Sequence, residues 1–231
     1  MDTTAKLIRS QAIGRSLPDP ILVTGTPRSG TSMTAGILRR CGAWCGKVDG
    51  SFENTDIRDS VMTPWFDLLG ADPRCQRPLP NIETMDSHPL AGLARRMEMF
   101  AKFQGYRHGP WFYKSPRIAA TWPAWWSVFP ETKWVIVRRG DKDIINSCMK
   151  TGYMDAYDTP EEWQCWLDVW KELFDSIYDA KVQVREVWPH HFVAGDYTEI
   201  QGVVEWLGLR WEDGKVKAFI NPELWRDYDG K

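Results

Sequence analysis

The 231-residue sequence predicts an α/β fold with a central, mainly parallel sheet flanked by helices. Three observations predict it. Short apolar runs at Ile21–Thr24 and 133–139 ("KWVIVRR") alternate with segments of helical spacing. The first run passes straight through a Gly-rich turn into a helix. A long amphipathic segment over 160–180 supplies a helix able to cover one sheet face. Strands joined by helical crossovers pair in parallel, and ligands of such sheets sit beyond the carboxyl ends of the strands.

In chain order, residues 1–20 read as a leading arm closed by "LPDP". Ile21–Thr24 fits a buried strand, and Thr31–Arg40 a helix stopped by Gly42. Residues 43–60 are Gly- and polar-rich, hence mostly loop, and 56–69 reads as a helix interrupted by Pro64. A Pro-rich connection follows at 72–81. Leu90, Leu93, Met97 and Phe100 give 90–103 helical spacing. "WFYK" (111–114) is a second short strand, and 118–129 an apolar helix before Pro130. Residues 133–139 form the clearest strand, and 141–150 a helix after it. For 160–180, Thr159 is the cap, Pro160 sits in the first turn, and Glu161 and Glu162 suit the positive dipole end. "HFVAGDY" (191–197) reads as the last strand, with short helical pieces at 203–207 and 215–220. The whole is one domain over 1–231, of P-loop-type three-layer architecture.

Bulk properties limit the function. Charged residues make up 26% and the net charge is −2, so nothing global draws the chain to nucleic acid or to an acidic membrane, and any anion site is local. No apolar run approaches the ~20 residues of a membrane span, and the first twenty residues lack the apolar core of a secretory signal. Five cysteines without framework spacing fit reduced thiols in a cytoplasm. Cys41 and Cys45 have no second pair at zinc spacing, so no metal is expected. Of the fourteen tryptophans, most are expected in the core, and some are candidates to line an apolar pocket.

Three motifs follow predicted strands. Gly25-Thr26-Pro27-Arg28-Ser29-Gly30 leads from strand to helix, so successive amides and the helix N-terminus form an anion cradle. Thr31 and Ser32 add hydroxyl donors, and Arg28 a permanent forked cation. The lysine that reaches the β- and γ-phosphates in nucleotide hydrolases is missing, which suits a 5′-phosphate carrying a different transferable group. In "VIVRRGDKDIINS" (135–147), Arg139 at a strand end and Ser147, about two helical turns on, close on one anion from two sides. "FYKSPR" (112–117) brings Lys114 and Arg117 after another strand.

These residues carry a family resemblance. "TGTPRSGTS" resembles the 5′-phosphosulfate loop of sulfotransferases that use 3′-phosphoadenosine 5′-phosphosulfate (PAPS). "RGDKDIINS" resembles their 3′-phosphate motif R-N-P-x-D-x-x-x-S, with Arg139, Asp143 and Ser147 in the matching places and Gly140-Asp141 where the motif has Asn-Pro. "GSFEN" (50–54), "YKSPR", "WLGL" (206–209) and "FINPELWR" (219–226) are similar to further segments of bacterial members. The resemblance spans about residues 20–226. It implies the sulfotransferase fold, PAPS as donor with PAP as product, and a small-molecule or glycan acceptor. It further implies that Arg139 and Ser147 hold the 3′-phosphate, and that Arg28 and Lys114 stabilise charge around the transferred group. Glu53 becomes the first choice of base and Asp56 the second, with His88 and His108 as outsiders. Tryptophan or phenylalanine side chains are expected against adenine. Two other readings remain: a P-loop kinase of a small metabolite, and a nucleotide-binding protein without catalysis.

Overall fold

The computed structural model describes residues 17–82 and 92–220. Most of the arm, His88, Leu90 and most of the 219–226 segment lie outside them. Strand β1 (Ile21–Gly25) feeds helix α1 (Thr31–Arg40). Helix α2 (Thr55–Ile57), a π-helical turn (Arg58–Met62) and α3 (Thr63–Leu68) form one continuous rod. Then come α4 (Leu93–Phe103), β2 (Phe112–Lys114), α5 (Arg117–Ala120) and α6 (Trp122–Val128). They are followed by β3 (Lys133–Val137), α7 (Asp141–Met149) and α8 (Pro160–Asp179). The described chain closes with β4 (Gln183–Val187), α9 (Pro189–Val193), α10 (Thr198–Trp206) and α11 (Asp213–Phe219). None of these helices is long and apolar enough to cross a membrane.

All four strands are parallel, in the order β2-β1-β3-β4. The chain leaves β1 towards β2 on one side and leaves β3 towards β4 on the other. The topological switch point therefore lies between β1 and β3, and a crevice opens beyond their carboxyl ends. Alternation along each strand sorts the core into two layers. Ile21, Val23, Val135 and Val137 pack with α1, α10 and α11, including Ile37, Leu38, Val203, Val204 and Val216. Leu22, Tyr113, Trp134 and Ile136 pack on the other face with α3 to α8.

Tryptophan fills that second layer: Trp65, Trp111, Trp125, Trp134, Trp163, Trp166 and Trp170 are all buried. On α8, Trp163, Trp166 and Trp170 meet edge to face, with centroids 5.1 and 5.7 Å apart. The helix begins at a capping box, in which Thr159 Oγ1 accepts from the Glu162 amide and Glu162 Oε2 accepts from the Thr159 amide.

Four expectations are corrected. No strand forms at 191–197. Pro189 opens helix α9 there, and the fourth strand is Gln183–Val187. As a sheet edge it leaves Gln183 and Arg185 exposed, so it carries no apolar run. The helix expected over 118–129 is two helices parted at Thr121, because Pro123 has no amide to offer Ala119 in a continuous helix and instead sits near the start of α6. The 43–60 loop ends at Asn54, whose side chain accepts from the Ile57 amide and caps α2. The break in the 56–69 helix is the π-helical turn before Pro64, where the Thr63 amide reaches back to Arg58 O. This wider turn delivers Pro64 to the start of α3, where its missing donor costs little.

Candidate active site

The loop between β1 and α1 is pressed onto the end of β3. A Cβ on Gly25 would lie 2.5 Å from Val137 O and 2.7 Å from Ser29 Oγ. Replacing Gly25 with alanine is therefore expected to destabilise the fold by about 1–3 kcal/mol. A urea titration checks this, and an unchanged midpoint would refute the close approach. Gly30 (φ 99°) and Arg28 (φ 74°) take left-handed backbone, and the Ser29 amide donates to Thr26 O at 3.1 Å. This path brings the chain to the N-terminus of α1, whose first amides face outwards at the positive end of the helix dipole.

Arg28 is held at two points. Its Nε donates to Ser147 Oγ at 2.9 Å and its Nη1 to the Tyr153 hydroxyl at 2.8 Å. From the end of β3, the two arginines part. Arg138 turns to Glu186 (3.7 Å) and the Phe174 ring, away from the loop. Arg139 donates to Arg28 O at 3.2 Å, and Asp143, one turn along, lies 3.8 Å from its Nε. α7 thus presents Asp143 and Ser147 one turn apart on the face that meets the β1–α1 loop.

At the end of β2, Lys114 is buried, and its ammonium forms no ion pair or hydrogen bond among the described residues. Burial lowers the pKa of its ammonium, while the charges of Glu53 and Asp49 pull it back up. Glu53 is also buried. Its Oε1 accepts from Ser115 Oγ (2.8 Å), Arg117 Nη1 (2.8 Å) and Tyr113 Oη (3.3 Å). Arg117 is fixed in turn by donating to Pro73 O at 2.6 Å. Burial, then the Glu53 charge, push the Tyr113 phenol well above its ordinary pKa, so it remains a donor to Glu53. Asp49 accepts from the Ser51 amide and hydroxyl and from the Glu53 amide, which fixes the segment that carries the carboxylate.

These groups surround one cavity of about 440 Å³. Pro27, Arg28, Gly30, Thr31, Ser32, Glu53, Lys114 and Arg139 line it, all expected from the sequence. Ser29 lies beneath the loop, fully buried, and its hydroxyl has no hydrogen-bond partner among the described residues; Thr26 is buried beside it, and Ser147 reaches the site through Arg28. Asp56 is turned away to Gln104 Nε2 (2.7 Å) and Lys47 (3.7 Å), and His108 is exposed on a loop. The lining also includes Ser51, Pro73, Arg74, Arg117 and Tyr153, which were not singled out as site residues. Arg117 had a signal, its place in "YKSPR". Arg74 and Tyr153 had none, being isolated loop residues. The described lining holds no tryptophan or phenylalanine. Five cations face one carboxylate, a balance that suits a polyanion with several phosphate-like groups. A cavity of about 600 Å³ between α1 and α11, lined by Arg39, Arg40, Phe52 and Phe219, holds none of the candidate catalytic or cofactor-binding residues.

The model of the sulfotransferase family matches residues 20–213. No curated protein matches the chain. Solved structures do. The sulfotransferase domain of the Synechococcus PCC 7002 olefin synthase is 18% identical, with a TM-score of 0.57 over 94% of this chain and 80% of that one. Sulfotransferase STF1 from Mycobacterium tuberculosis H37Rv is 14% identical, with a TM-score of 0.56 over 94% and 74%. STF9 from Mycobacterium avium is 14% identical, with a TM-score of 0.55 over 95% and 71%. At these identities the structural similarity speaks for the fold.

Proposed function

Because the chain belongs to the sulfotransferase family, we propose that it uses PAPS to sulfate a hydroxyl or amine of a small-molecule or glycan acceptor, releasing PAP. The observation that carries this reading is the convergence of Arg28, Lys114 and Arg139 from three adjacent strand ends onto the N-terminus of α1. The donor set fits the ligand. The amides at the N-terminus of α1 and the Thr31 and Ser32 hydroxyls, with Arg28, hold the 5′-phosphosulfate, and Arg139 and Ser147 hold the 3′-phosphate.

When bound, PAPS supplies the sulfuryl group: the bridging bond from sulfur to the 5′-phosphate oxygen breaks as the acceptor oxygen or nitrogen bonds sulfur in line. The residues of the chain position and stabilise. Arg28 and the α1 amides face the charge that grows on the 5′-phosphate, and Lys114 adds a second cation beside it. Arg117 and Ser115 occupy Oε1 of Glu53, which leaves Oε2 to take the acceptor proton. A cytoplasmic setting is supported by free thiols at all five cysteines.

Calorimetric titration with adenosine 3′,5′-bisphosphate (PAP), ADP and ATP, without magnesium, tests the donor. Tight binding of PAP and weak binding of the other two is the expected result. A preference for ATP, strengthened by magnesium, would overturn the reading in favour of a kinase.

A further inference from the structure

We propose that Tyr153 is a positioning residue of this site, holding the Arg28 guanidinium in place at the mouth of the phosphate loop. The inference rests on the donor reading above. Arg28 is the cation of the loop, and a free arginine side chain would sample many rotamers. Two fixed acceptors define where it lies. Ser147 Oγ meets Nε at 2.9 Å and belongs to the motif on α7; the Tyr153 hydroxyl meets Nη1 at 2.8 Å and belongs to no motif.

Tyr153 is 53% exposed, so packing does not hold its ring. Its backbone is held instead. The Tyr153 carbonyl accepts from Gln76 Nε2 at 2.8 Å and from Arg74 Nη1 at 3.1 Å. Gln76 Oε1 then accepts from the amides of Asp155 and Ala156, at 2.9 and 3.1 Å. Gln76 is only 1% exposed, and both ends of its side-chain amide are committed to this one loop. The next residue, Met154, is buried, which anchors the loop from below. An incidental surface contact between tyrosine and arginine is worth little and needs no such support. Here a buried amide fixes the segment whose exposed side chain meets the arginine of the β1–α1 loop.

Losing the phenol oxygen leaves Ser147 as the one side-chain hydrogen-bond partner of the Arg28 guanidinium among the described residues, so Nη1 no longer has a set position. The consequence falls on the 5′-side of the ligand, which Arg28 faces, and spares the 3′-side, where Arg139 acts. Tyr153→Phe keeps the ring and removes only the hydroxyl. Calorimetry with PAP, adenosine 5′-monophosphate and adenosine 3′-monophosphate reads the difference. For the variant, affinity for the first two is expected to fall about 10-fold, the worth of one charge-assisted hydrogen bond, with the third unchanged. Wild-type affinity for all three, or an equal fall for all three, would overturn the positioning role. A wild-type protein that binds none of them would overturn the donor reading itself, and this inference with it.

Discussion

Arg139→Ala is expected to lower affinity for PAP by about 100-fold while leaving ADP binding nearly unchanged. Arg139 is 8% exposed at its side chain, with Asp143 one turn away at 3.8 Å, so its guanidinium is pre-oriented in a largely water-free place. Removing one partner of a buried charge pair generally costs about 2–5 kcal/mol. The selectivity is the sharper part of the claim. ADP carries no 3′-phosphate and so has nothing to lose at that subsite. The bond from Arg139 Nη1 to Arg28 O offers a competing account, in which the arginine merely supports the loop. Calorimetry on both ligands separates them, because equal losses for PAP and ADP would mean support rather than recognition.

Glu53→Gln is expected to reduce turnover by about 10²–10⁴-fold, the usual contribution of a positioned general base. PAP affinity should stay close to wild type, since in the proposed reaction Glu53 acts on the acceptor and not on the nucleotide. Glutamine is nearly isosteric, and its carbonyl oxygen can still accept from Ser115 and Arg117 where Oε1 does now. The PAP titration thus doubles as a check that the site is intact. Steady-state rates with the sulfate donor, on an acceptor found by screening, provide the test. A variant that turns over at the wild-type rate removes Glu53 from the mechanism.

The β1–loop–α1 unit was legible in the sequence because each part obeys a local rule: an apolar run, two glycines where the backbone turns, and a helix closed by Gly42. Helix α8 was legible for the same reason, through Thr159, Pro160 and a stripe of aromatics at helical spacing. β4 was not. At the sheet edge only Val187 of its five residues is buried, so its pattern of Gln183, Arg185 and Glu186 resembles a solvated segment. The 191–197 segment was misread as a strand because its apolar stretch, "HFV", has no period of its own in so short a span. In the site, Arg28, Arg139 and Ser147 each belong to a motif that follows a strand, and the fold brings Arg28 within hydrogen-bonding reach of the other two. The partners of Glu53 come from 113–117, some sixty residues away, and Tyr153 reaches Arg28 across a sequence separation of 125. No local pattern records contacts of that range.

Parallel pairing has a consequence for how the protein would lose its ligand. Ile21 pairs with Phe112 and Leu22 with Trp134, so the sheet joins segments remote in the chain. The cavity at its carboxyl edge takes Glu53 from before β2, Lys114 from its end and Arg139 from after β3. The shortest stretch that holds all three together with the loop runs from Gly25 to Arg139 and joins the ends of β1, β2 and β3. The site therefore exists only while β1, β2 and β3 are paired, and it vanishes when that pairing is lost rather than with fraying of the chain ends. Any ligand held there stabilises the entire fold through mass action, by about 2.7 kcal/mol at a concentration 100 times its dissociation constant. Occupancy of the site and resistance to denaturation are, for this architecture, two readings of a single equilibrium.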